Sequence, residues 1–132
     1  MKYLRFVRPN TIKNFSAREG FFCAAYELRD VRDLEGYIFE QLENHLSWFE
    51  SNLPPPESFN RSKAKRSRDK KTAGLSWFKE DAFEAIGRSY ALINLLAENG
   101  CPIEVIRTER VGYVVYEDKQ QVVAEPFADT PI

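Results

Sequence analysis

Apolar positions recur along this chain with two periods, and the changes of period mark its elements. Over residues 2–8, Leu4 and Phe6 alternate with Tyr3, Arg5 and Val7, and Pro9-Asn10 ends the run, which predicts a strand. Ser16-Ala-Arg-Glu19 fits a capping box, in which serine accepts from a helical amide and glutamate reaches back. A helix over 17–29 is predicted from it, with Phe21, Ala24, Ala25 and Leu28 on one face. Asp33 is the expected cap of a second helix reaching Asn52. Its apolar stripe is Leu34, Ile38, Leu42, Leu46, Phe49 and Leu53. Pro54-Pro55-Pro56 must stop it, because proline lacks the amide donor and clashes with the preceding turn.

Ser76 is read as the cap of a third helix over 77–99, with Glu80, Asp81 and Glu84 near the positive end of its dipole. Its inward face is Phe78, Ala82, Ala85, Ile86, Ser89, Ile93, Leu96 and Ala97, and Asn99-Gly100-Cys101-Pro102 ends it. Alternation then returns. Residues 103–108, 113–117 and 121–125 read as a three-stranded antiparallel meander, with turns at Glu109–Gly112 and Asp118-Lys119-Gln120. The expected order is β-α-α-α-β-β-β: one α+β domain over 1–132, with helices packed on one face of an antiparallel sheet. Leu46-Ser-Trp-Phe-Glu50 and Leu75-Ser-Trp-Phe-Lys79 match at four of five positions, but their flanks share nothing. The match reads as coincidence, since a repeat would extend further.

Residues 54–74 follow neither period. A connection of that length without periodicity is usually functional or disordered, and it holds the chain's main charge anomaly. Arg61, Lys63, Lys65, Arg66, Arg68, Lys70 and Lys71 stand against Asp69 alone, a local charge of +6. The whole chain carries −1, so the remainder sums to −7. Asp33 to Asn60 has six acids and neither lysine nor arginine. Charge segregated in this way suits steering toward a charged partner. The seven basic residues are therefore the candidate partner-binding set, for a protein with an acidic surface or, alternatively, a nucleic acid. A run without aromatics offers phosphate neutralisation and little base readout. Pairing with the acidic second helix, in the same chain or in a second copy, is the plain structural reading, and a homo-oligomer fits it.

Composition narrows the class further. Hydrophobic residues make up 43% and aromatics 14% of the chain, enough for a real core. No run of 18 uncharged apolar residues suggests a membrane partner. Arg5 and Arg8 interrupt any signal-peptide core, so a cytoplasmic protein is expected. Cys23 and Cys101 read as two reduced structural thiols.

Candidate chemistry is sparse. Arg107, Glu109, Arg110, Glu117 and Asp118 form a polar set on the C-terminal strands. Glu117-Asp-Lys119 fits the E-x-K of a magnesium-dependent nuclease core, with Glu104 as stand-in for the upstream acid. The simpler reading is a hairpin with its tip at Asp118-Lys119. His45, the only histidine, falls between Leu42 and Phe49 and reads as a half-buried structural residue. Phe127 in the tail could cover a sheet edge or dock on a neighbour. No phosphate-binding loop, dinucleotide glycine pattern or G-x-S-x-G is present, and neither a cofactor nor a metal site is read.

Leu75-Ser-Trp-Phe-Lys79, Gly112-Tyr-Val-Val-Tyr-Glu-Asp118 and Gln121-Val-Val-Ala-Glu-Pro-Phe127 resemble segments of small bacterial proteins. The resemblance implies a bacterial source and carries over no site residue. The expectation is a small binding protein that docks on another protein and neutralises or regulates it. The alternatives are a nucleic-acid-associated protein using 61–71 and a small metal-dependent hydrolase using the acids of the C-terminal hairpin. A helices-on-sheet fold hosts all three.

Overall fold

The computed structural model describes residues 1–11, 17–31, 33–53 and 74–132, and they form an α+β fold. The strands are β1 (Tyr3–Thr11), β2 (Arg18–Gly20), β3 (Leu75–Lys79), β4 (Glu104–Thr108), β5 (Tyr113–Glu117) and β6 (Gln121–Glu125). The helices are α1 (Phe21–Arg29), α2 (Gly36–Asn52) and α3 (Phe83–Glu98).

β1 organises the antiparallel sheet. Along one edge it pairs β4, from Tyr3–Thr108 to Val7–Glu104. Along the other it meets two strands in succession. Tyr3 and Leu4 pair Lys79 and Phe78 of β3, then Val7 and Thr11 pair Gly20 and Arg18 of β2. Arg5 and Phe6 lie between these ladders, where β3 has left β1 and β2 has not yet joined. β3 continues onto β6, and β6 onto β5.

Side-chain alternation gives β1 two apolar faces. Leu4 and Phe6 enter the main core, with Phe21, Ala24, Ala25 and Leu28 of α1, Leu42, Leu46 and Phe49 of α2, and Ala85, Leu92, Leu95 and Leu96 of α3. Aromatic rings knit it together: Phe6 lies 5.2 Å from Phe21 and 5.9 Å from Phe78, and Phe21 lies 6.0 Å from Phe49. On the opposite face the curled sheet closes over a smaller cluster of Val7, Trp77, Ile106, Val111, Val122 and Ala124.

The expected faces of α1 and α2 are the observed ones, but several boundaries differ. Leu75–Lys79 is strand, so Ser76 caps nothing and α3 begins at Phe83. The inward periodicity of 82, 85, 86 and 89 is real but stops one turn short of Phe78. Leu92 and Leu95 are buried and Ala97 is exposed. Arg18–Gly20 is strand, which moves the start of α1 to Phe21 after an extended Gly20; Ser16 lies outside the described residues. Asp33 adopts a positive φ of 71° and does not cap α2, whose N-cap is Glu35. The three-stranded meander is not formed. β5 and β6 make a hairpin, whereas β4 pairs β1, because a strand buried on both faces must satisfy the backbone groups along its edges by pairing.

Candidate ligand-binding cleft

The interval between β3 and β2 opens a cleft of about 540 Å³. Phe21, Phe22, Tyr26, Leu46, Phe49 and Leu53 supply its helical wall, and Leu75, Trp77 and Phe78 its β3 wall. The lining is apolar because these side chains belong to the core-facing stripes of α1 and α2 and to β3, where the strands separate. Cys23, among the residues that line the cleft, is exposed.

Arg5 stands in this lining although it is only 6% exposed. It holds one hydrogen bond, donated from Nη2 to the Arg18 carbonyl at 2.8 Å, and its other terminal nitrogen, Nη1, is buried without a partner. Among the described residues no carboxylate is paired with it. Its guanidinium lies 5.6 Å from the centre of the Trp77 ring. Antiparallel extension of the Leu4–Phe78 pair would set Arg5 opposite Trp77, so the two share a face even where the ladder has opened. Trp77 is 1% exposed, and its indole Nε1 is also buried without a partner. Burial first, and the nearby positive charge of Arg18 second, push the Arg5 pKa down to about 10. It is therefore a cation at neutral pH.

Two unsatisfied buried donors on neighbouring side chains cost several kcal/mol together, since each loses its hydration without a replacement bond, at roughly 1–3 kcal/mol apiece. A buried donor without a protein acceptor calls for another one, such as a bound ligand or an ordered water. Nearby charges are already committed. Arg8 pairs Glu19 at 3.0 Å and also holds Glu27, Arg18 pairs Glu104 at 3.0 Å, and at the rim Glu50 accepts from the Tyr26 hydroxyl at 2.8 Å.

The residues expected from sequence fare differently. Arg61, Lys63, Lys65, Arg66, Arg68, Lys70 and Lys71 lie outside the described residues. The polar strand set is not gathered. Glu117 pairs Lys79 at 2.6 Å at one end of β5, while Arg110, bonded to Asp129 at 3.0 Å, lies just before the other end. Arg107 donates to the Tyr90 hydroxyl at 3.0 Å, and Glu109 is exposed on the β4–β5 connection. Asp118 organises the hairpin tip. Its Oδ1 accepts from the amides of Gln120 and Gln121 at 2.8 and 2.9 Å, and Oδ2 accepts from the Tyr116 hydroxyl at 2.8 Å. No group of three His, Cys, Asp or Glu side chains that could hold a metal ion occurs among the described residues. His45 is half-buried on α2. Burial first and Arg88 second lower its pKa. Phe127 packs against Tyr113 at 4.7 Å, beneath the Arg110 guanidinium at 4.9 Å. Both cysteines are free thiols.

Periodicity alone singles out Arg5 only as a charge within a strand. The signal was there: Tyr3-Leu-Arg-Phe-Val7 is apolar but for one arginine, and a charge within a strand buried on both faces needs a partner. Trp77 falls in a segment that local signals predict as helix, and a helix would not set it beside Arg5. No helix among the described residues is long and apolar enough to cross a membrane. No family model, curated protein or solved structure matches this chain, so its site rests on its own geometry.

Proposed function

We propose that this is a binding protein that takes a small apolar molecule into the cleft between α1, α2 and β3. The observation that carries this reading is the cleft itself: about 540 Å³ of concave, aromatic-lined space at a break in the sheet. Ligand sites have this character, with volumes of roughly 300–1,000 Å³, mostly apolar walls and few polar groups. The docking role expected from the segregated charge belongs to the same broad class. Its basic residues lie outside the described ones, and the cleft supports a small-molecule occupant instead.

Titration with the neutral apolar dye Nile red tests this. One saturable site per chain is expected, with affinity reduced at least tenfold in Phe22→Asp, which sets a charge on the helical wall; circular dichroism would establish that the variant folds. Absence of saturable binding, or unchanged binding in a folded Phe22→Asp, contradicts the reading.

A further inference from the structure

We infer that the cleft selects an apolar monocarboxylate, whose head group is held by Arg5 Nη1 and Trp77 Nε1. This rests on the reading of the cleft as a ligand site and adds the chemistry of the ligand. Both donors are buried, both lack a partner, and both belong to residues that line the cleft. Arg5 therefore offers its charge and the two N–H bonds of Nη1, beside the single indole N–H of Trp77. That inventory matches a carboxylate, which carries one negative charge and two oxygens that can accept from donors of both side chains. A phosphate monoester brings up to two negative charges, and the single cation of Arg5 leaves the second one uncompensated. Glu50 at the rim further disfavours a second negative charge. The rings of Phe21, Phe22 and Phe49 provide the surface for an aliphatic or aromatic body.

A neutral alcohol of the same length would leave the Arg5 charge unpaired, so the site should reject it. Sites built to bond a buried polar group discriminate strongly against analogues that lack it. Arg18 matters indirectly. Its carbonyl holds Nη2 and fixes the direction in which Nη1 points, while its own guanidinium is paired with Glu104.

The test is calorimetric titration of the full chain with decanoate and with decanol, below their self-association concentrations. The expected result is one site per chain, with decanoate bound at least tenfold more tightly than decanol. In Arg5→Met, decanoate should weaken at least 30-fold while decanol is unchanged. Arg5→Lys retains a charge without the planar fork and should lose less, and Trp77→Phe should weaken decanoate a few-fold. Equal binding of the two probes to wild type would leave the apolar cleft standing and overturn the carboxylate inference. Binding of neither would remove both. Undiminished decanoate binding in a folded Arg5→Met also overturns it. So does binding that arises only when residues 54–73 are replaced by a glycine-serine linker, which would assign the cleft to the chain's own segment.

Discussion

Leu-Ser-Trp-Phe occurs twice in this protein, once as helix in α2 and once as strand in β3, and each tryptophan has an arginine over its ring. Trp48 is half-buried. Its Nε1 donates to Glu84 at 3.0 Å, and Arg88 lies 5.4 Å from its ring centre. Trp77 is fully buried, its Nε1 has no partner, and Arg5 lies 5.6 Å from its ring centre with a terminal nitrogen unpaired. The same four residues and the same kind of ring contact thus give an indole N–H with an acceptor near the surface in one place and a buried one without an acceptor in the other. Neither tryptophan nor cation–π contact marks a site. What marks it is the pair of donors left over after folding, in a part of the sheet where another strand would have supplied acceptors.

The largest expected difference is in stability. Trp77→Ala should cost about 3–5 kcal/mol, as for a large side chain removed from a packed core, while Trp48→Ala should cost about 1 kcal/mol. Urea unfolding measures both, and similar costs would erase the contrast. Next is the hairpin that covers Trp77. Gly112 has a φ of 119°, and a Cβ there would lie 1.9 Å from the Glu125 carbonyl oxygen. Gly112→Ala should therefore destabilise by about 2 kcal/mol or more. Because β6 carries Val122 and Ala124 over Trp77, acrylamide should quench Trp77 more readily in this variant and Trp48 no more than before. Single-tryptophan backgrounds separate the two signals.

A third prediction has the opposite sign. Arg5→Met removes a buried, half-satisfied cation, so the ligand-free protein should gain about 1 kcal/mol while losing its ligand. A loss of stability larger than that gain would mean that Arg5 is structural. The smallest effect concerns the hairpin tip. Burial alone would push the Asp118 carboxyl up, but the amides of Gln120 and Gln121 and the Tyr116 hydroxyl hold it below its ordinary value. A lowered folded-state pKa contributes stability above the unfolded value of about 3.9, and that stability is lost as pH falls through the folded value. Asp118→Asn should cost about 1 kcal/mol or less at pH 7, and the gap to wild type should close below about pH 4 in thermal melts.

Much of the fold was legible because periodicity reports burial. Phe21, Ala24, Ala25 and Leu28 in α1, and Leu42, Leu46 and Phe49 in α2, are buried as their spacing requires. Ser76–Lys79 reads locally as a helix start because a serine before apolar residues fits a helix cap as well as it fits strand alternation. What decides between them is four cross-strand pairs with β6, from Leu75–Ala124 to Phe78–Gln121, which are invisible locally. The same long-range pairing took β4 from the meander to β1. The site was least legible of all. It depends on where two partners of one strand edge fail to meet, and on which hydrogen bonds remain unmade, and neither leaves a motif.

The most direct measurement is the indole N–H region of a nitrogen-15 correlation spectrum during titration with decanoate, in which the two tryptophans give two signals. Donation from Trp77 to the carboxylate should move its resonance downfield in a saturable manner and leave Trp48 in place, with no such movement under decanol. An unmoved Trp77 under saturating decanoate, or an equal shift under decanol, would contradict the account.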